Sequence, residues 1–254
     1  MNFKRTSLVF LMLILFLNVF NILFHISPWW YLVPGLVLFG MAGLGSFRIN
    51  MSFYFNVICR FRSKNQIVLS FDDGPHQTTT LKVLQVLKKH QAPATFFCIG
   101  NQVQRWPEIT AKVHAEGHII ANHSYCHSNF YGFYSTKKIV HDLQKCNTII
   151  KETIGVSPRF FRPPFGVTNP NMKRALRKFP LLSVGWSLRT LDTVNSTPEK
   201  LMKKLRKTKP GDIILFHDRV ENIEQVLDEF LFFCKQQHLT IARLDEMINS
   251  PAYE

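Results

Sequence analysis

From residue 65 to residue 249, short apolar runs alternate with stretches of helical period, and this alternation restricts the chain more than any other feature. Segments 67–71, 94–99, 119–120, 160–161, 181–187, 213–216 and 239–242 read as buried strands, being short, apolar and bounded by turn residues. Helices fall between them. Leu81, Leu84 and Leu87 make one helical stripe, and residues 103–116 make a helix that Gly117 stops, with Trp106-Pro107 itself resembling a helix start. Ser135 caps another, whose Ile139, Val140, Leu143, Cys146 and Ile150 face inward. Residues 172–178 and 223–237 add two more, and Thr197-Pro198-Glu199 opens a further one with a hydroxyl, a proline and an acidic first turn. Strands separated by helices pair in parallel, so the class is α/β, as an open sheet or a closed barrel. In both, functional groups gather at the carboxyl ends of the strands. Asp72-Asp73, His123, Arg162, Asp192 and His217 all follow a predicted strand.

The first fifty residues obey a different rule. Apolar segments at about 7–26 and 28–47 lack Asp, Glu, Lys and Arg, and the first is long enough to cross a bilayer as a helix. Trp29, Trp30 and Tyr31 open the second with interfacial residue types, whereas Pro34 and its glycines interrupt the pattern. No small-x-small cleavage site precedes the second segment, so retained transmembrane segments are expected in place of a signal peptide. The chain then divides into a membrane-anchoring region, 1–62, and a soluble unit, 63–254. Lys4 and Arg5 before the first segment, and Arg48, Arg60, Arg62 and Lys64 after the second, predict an integral cell-membrane protein whose soluble unit faces the cytoplasm, the alternative being a second segment that re-enters or lies in the interface, as Pro34 and its glycines permit, with the unit outside.

The 31 Lys and Arg against 17 Asp and Glu give +14, which suits an anionic membrane surface or an acidic polymer. The basic residues are scattered. Their one run, Lys203, Lys204, Arg206, Lys207 and Lys209, reads as a solvated helix face, and no nucleic-acid motif accompanies it. The lipid bilayer is the expected partner, with no nucleic acid and no protein partner. Five cysteines without paired spacing indicate no disulfide framework.

His123 and His127 stand four apart, so that one helical turn would carry both imidazoles to one side. Two imidazoles and one carboxylate with open positions make a site for a catalytic divalent ion, and the same set also serves iron oxygenases. Asp72 and Asp73 end an apolar strand, before Gly74 and Pro75 turn the chain. Adjacent buried carboxylates repel and desolvate each other unless a cation neutralises one. A metal on Asp73 and an ion pair on Asp72 would answer both demands. A glycosidase pair must span about 5 Å or more across a bond, which sequence neighbours do poorly. His76, His114, His118, His141 and His238 read as turn or surface histidines, and Cys126 as a packing residue.

Four ordered segments, Leu69-Ser70-Phe71-Asp72-Asp73-Gly74-Pro75, Asn122-His123-Ser124-Tyr125-Cys126-His127, Arg162-Pro163-Pro164-Phe165-Gly166 and Ile214-Leu215-Phe216-His217-Asp218, resemble motifs of the NodB-type polysaccharide deacetylases, carbohydrate esterase family four. The resemblance implies a distorted (β/α)7 barrel and a metal-dependent hydrolase that removes N-acetyl groups from a sugar polymer or membrane-linked saccharide. It implies Asp73, His123 and His127 as ligands of a divalent metal ion, usually zinc, with Asp72 as base and His217 as acid. Arg162 would tether the base, Asp192 would support His217, and the Phe165 amide would help bind the oxyanion. One motif departs: Arg189 and Thr193 stand where the family has an acid and a pocket-wall Trp, which leaves Leu215 as the other expected wall. The alternative is a catalytically inactive, membrane-bound carbohydrate-binding protein.

Overall fold

The structure is a computed structural model and describes residues 2–194 and 197–254. Helix α1 (Phe3–Phe24) is capped by the Asn2 side chain, and α2 (Leu32–Phe47) follows a short 3-10 turn, Pro28–Tyr31. Both helical stretches are long and apolar enough to cross a membrane. Their surface is bare: Leu15, Phe16, Ile22 and Phe39 are all more than half exposed. The two helices pack antiparallel, and both outer ends meet the rest of the chain at one place. The Phe3 N–H donates to the Phe53 carbonyl at 2.8 Å, and a Cβ at Gly45 would collide with the Phe53 ring.

In chain order the rest of the chain comprises β1 (Gln66–Asp72), α3 (Thr79–Lys89), β2 (Ala94–Cys98), α4 (Gly100–Arg105), α5 (Pro107–Ala115), β3 (Ile119–Asn122), α6 (Thr136–Ile154) and β4 (Phe160–Phe161). Then follow α7 (Pro170–Leu176), β5 (Leu182–Ser183), β6 (Leu188–Arg189), α8 (Pro198–Leu205), β7 (Ile213–His217), α9 (Ile223–Gln236), β8 (Thr240–Ile241) and α10 (Leu244–Met247). All the strand pairings are parallel, in the order β5-β4-β3-β2-β1-β7-β6, with β8 beside the start of β1. Ile58 bridges Val184 and Arg60 bridges Asp212, so the segment after α2 links the β5 side of the sheet to the start of β7. The result is a curled parallel sheet of the distorted (β/α)7 kind.

Side chains alternate across a strand, and this period of two decides what points where. In β1, Ile67, Leu69 and Phe71 join the cluster under the helices, whereas Val68 joins the inner one, so Ser70 and Asp72 face inward too. In β7, Ile214 and Phe216 face the helices and Ile213 the interior, which turns Leu215 and His217 inward. Stacked rings of Phe96, Phe71 and Phe216, with centroids 4.9 and 5.5 Å apart, tie β2, β1 and β7 together beneath the helices.

Three expectations change. The helix over 103–116 is two helices, because Pro107 lacks an N–H and forces Trp106 out of helical geometry (φ −132°, ψ 59°). The strand over 181–187 shrinks to β5, and β6 starts beyond it at Leu188; between them lies Gly185, whose Cβ would crowd Cys59, Ile49 and Val57. His118 is buried against Phe96, with ring centroids 5.6 Å apart, and burial pushes its pKa down to about 4, so it is no surface histidine. The basic run lies mostly exposed on and after α8, and all five cysteines are free.

Candidate metal and catalytic centre

The two histidines are not brought together by a helical turn. Residues 123–128 form a loop after β3, with Ser124 (φ 67°) and His127 (φ 44°) in the left-handed region. Such backbone needs outside support. Asn122 accepts from the Ser124 N–H at 2.8 Å and Ser124 Oγ from the His127 N–H at 3.1 Å. Asp142 in α6 accepts from the Tyr125 and Cys126 amides at 2.9 and 3.2 Å, and from Cys126 Sγ at 3.0 Å. Sequence reasoning missed Asp142, although it falls on the inward stripe of its helix, between Ile139 and Cys146. Cys126, expected to pack, is instead exposed and lines the central cavity.

Asp73 directly follows β1 at φ 75°, and Gly74 after it has no room for a side chain, since a Cβ there would collide with the Asp218 carboxylate. This turn brings Asp73 Oδ1 to 3.6 Å from His123 Nε2 and 3.5 Å from His127 Nε2. Those separations are too long for hydrogen bonds. They match three ligands sharing one tetrahedral ion at about 2.1 Å each, which stand about 3.4 Å apart. His123 Nδ1 lies 2.8 Å from the Arg162 carbonyl, which can only accept, so that nitrogen carries the proton and Nε2 offers its lone pair. Burial, then the neighbouring His123, pushes the His127 pKa down to about 4, leaving a neutral imidazole at pH 7. Burial opposes ionisation of Asp73, but His123, His127, His217 and the Arg219 hydrogen bond outweigh it and hold its pKa low. A neutral imidazole, an imidazole of fixed tautomer and an ionised carboxylate fit a divalent cation.

Asp72 faces the same space. Its Oδ1 accepts from Arg162 Nη1 at 2.6 Å, while Oδ2 lies 3.7 Å from His123 Nε2. Arg162 is wholly buried, with Nε on the Val184 carbonyl at 3.2 Å, Nη2 on the Gly185 carbonyl at 2.7 Å, and its guanidinium 3.9 Å above the Phe97 ring. Asp192 grips His217 twice, accepting from its backbone N–H at 2.7 Å and facing Nδ1 at 2.7 Å. Burial works to lower the His217 pKa, but the hydrogen bond and charge of Asp192, with the charges of Asp72 and Asp73, raise it.

A cavity of about 420 Å³ opens over these groups. Asp72, Asp73, His123, His127 and His217 line it, as do the expected substrate-pocket residues Phe165, Thr193 and Leu215. Arg162 and Asp192 stand buried behind the wall. Arg189, singled out with Thr193 in the departing motif, lines the cavity, as do Trp186 and Arg219, which were not foreseen there. Arg219 Nε donates to Asp73 Oδ2 at 2.8 Å, and Trp186 sits where a Cβ on Gly166 would strike its ring. Asp218 was missed as well: it is wholly buried, accepts from Thr80 Oγ1 at 2.6 Å, and burial lifts its pKa to about 7.

A curled parallel sheet with two histidines and a carboxylate converging at its carboxyl edge defines an α/β protein with a candidate divalent-cation site. The chain belongs to the polysaccharide deacetylase family, the NodB-type or family-four carbohydrate esterases, whose sequence profile matches residues 61–184. It is 32% identical over 156 residues to a peptidoglycan-N-acetylglucosamine deacetylase of Bacillus cereus, covering 61% of this chain and 56% of that protein, so it spans little more than half of that relative. It is 31% identical over 159 residues to a chitooligosaccharide deacetylase of Azorhizobium caulinodans, covering 62% of this chain and 75% of that one. The crystal structure of a peptidoglycan N-acetylglucosamine deacetylase in complex with 4-naphthalen-1-yl-N-oxidanyl-benzamide superposes with a TM-score of 0.73 at 26% identity, over 78% of this chain and 95% of the other.

Proposed function

We propose that this chain is a membrane-anchored N-deacetylase hydrolysing acetamide groups on an N-acetylated saccharide, with residues 1–62 as anchor and 63–254 as catalytic unit. One observation carries the reading: two clamped proton-transfer groups share a cavity with a cation site. Asp72 is clamped by Arg162 and His217 by Asp192, beside Asp73, His123 and His127. The relatives named for peptidoglycan N-acetylglucosamine and chitooligosaccharides support a sugar of that type as the reacting unit.

Asp73, His123 and His127 would hold the ion, zinc by the character of the ligands, and the ion would supply Lewis-acid polarisation of the acetamide carbonyl and acidify a water molecule. Asp72 accepts the proton of the attacking water. Arg162 occupies Oδ1, which leaves Oδ2 on the His123 side to take the proton. His217 protonates the departing amine nitrogen through Nε2, because Asp192 holds Nδ1 and stabilises the charged ring. The Phe165 amide donates to the oxyanion, and Leu215 and Thr193 bound the acyl group, with Trp186 across the same cavity.

The hairpin geometry supports two transmembrane segments with the amino terminus and the catalytic unit on one side. Lys4, Arg5 and Arg48 lie at that end, and the turn between the helices carries neither Lys nor Arg, which supports a cytoplasm-facing site. The test is acetate release from chitooligosaccharides, peptidoglycan fragments and lipid-linked N-acetyl sugars by the full-length protein in nanodiscs, with metal content measured alongside. Metal-loaded protein that binds such glycans and frees no acetate would leave it a binding protein.

A further inference from the structure

The end of the apolar hairpin is tied to the wall of the catalytic cavity. The Thr168 N–H donates to the Ser46 carbonyl at 3.0 Å and its hydroxyl to the Gly45 carbonyl at 3.0 Å, and both acceptors belong to the last turn of α2. Thr168 is buried, and only three residues before it Phe165 lines the cavity, its ring centroid 4.5 Å from that of His127. On the far side of this segment, Asn169 Nδ2 donates to the Gly132 carbonyl at 2.8 Å. That contact fixes the loop holding Phe130 and Phe133, which are 71% and 87% exposed, while Asn129 of the same loop lines the cavity. Phe47, at the end of α2, is 77% exposed. Large bare rings therefore stand on or next to the segments that carry the cavity-lining Asn129 and Phe165, beside a helical stretch long and apolar enough to lie in a bilayer. A second cleft, where α1 begins, is lined by Lys4, Arg5 and Lys173, cations placed for anionic headgroups.

We infer that Phe130, Phe133 and Phe165 rest in the bilayer interface beside the end of α2, so that the cavity takes its acetylated sugar from the membrane surface, on a lipid anchor. The inference rests on the hairpin and deacetylase readings above. A lipid-borne sugar would need no extended groove, because two-dimensional confinement brings it to the mouth.

The test uses the full chain in nanodiscs. In Phe133→Trp, the added tryptophan emission, taken as the difference from the parent, should be quenched by lipids brominated on the acyl chain and spared by acrylamide. Quenching by acrylamide alone places the loop in water and overturns the inference; protection from both points to a protein cover and overturns it equally. Phe130→Ser with Phe133→Ser should lower kcat/KM on an N-acetylglucosamine joined to a lipid tail about tenfold, the scale of one buried aromatic ring, and leave a soluble chitooligosaccharide unchanged. Equal loss on both substrates, or a parent preference for the soluble one, would also overturn it. Bromolipid quenching without acetate release from either substrate would retain the interfacial rim and remove the deacetylase reading instead.

Discussion

Removing the Arg162 guanidinium is the most demanding trial of how the site is held. Arg162→Met keeps much of the side-chain volume and deletes three donors: one to Asp72 at 2.6 Å and two to the Val184 and Gly185 carbonyls at 3.2 and 2.7 Å. Arg162 is fully buried and Asp72 nearly so, so the carboxylate loses its counter-charge. Breaking a buried pair by deleting one partner costs about 3–5 kcal/mol, and orphaned carbonyls act in the same direction. That is a large part of a typical stability of about 5–15 kcal/mol, and at about 2–4 °C per kcal/mol it should lower the melting temperature by roughly 6–20 °C. Near-UV circular dichroism of the full chain in detergent would follow the transition. Adding Asp72→Asn removes the buried charge, so the double variant should regain part of the lost stability while remaining inactive. Arg162→Met as stable as the parent, or a double variant no more stable than the single one, would refute the claim that Arg162 exists to hold an ionised Asp72.

Asp72→Asn alone should retain metal and lose about 10²- to 10⁴-fold in turnover, whereas Asp73→Asn should lose metal by elemental analysis; equal metal content in both would end that division of labour. The raised pKa of His217 means that its stabilising contribution is fully present below its ordinary value of 6.5 and is lost as pH rises through the folded value. Asp192→Asn removes the main source of that rise, so the alkaline limb of the kcat profile should move to lower pH with metal content unchanged, and an unmoved limb would exclude His217 as the acid. Thr193→Trp narrows a cavity already walled by Trp186, so preference among acetyl, propionyl and butyryl amides should change while metal affinity does not. A fluorescent reporter fused after Glu254 should light in the cytoplasm; periplasm-dependent phosphatase activity there would reverse the orientation.

The strand pattern was legible because burial writes itself into sequence: a strand covered on both faces must be apolar, and β1, β2, β4 and β7 are. The acids and imidazoles at strand ends stood out for the same reason, as polar interruptions of apolar runs. The candidate cation group, Asp73, His123 and His127, follows from those interruptions, and the structure brings it together. How the group converges was not legible. A spacing of four suggested a helical turn, while the loop takes its shape from Asp142 in α6 and Asn122 in β3, contacts that local periodicity does not encode. Trp186 and Arg219 enter the site because the segments after β5 and β7 reach the same end of the sheet as the end of β1, and the interruption between β5 and β6 lies at Gly185, against the segment after α2. The sequence by itself determined the alternation, the apolar hairpin and the kinds of chemical group at each strand end, all properties of neighbours along the chain. Only the tertiary structure decided which groups meet, and that the hairpin ends against the cavity wall at Thr168, because contacts between distant segments depend on how the sheet curls.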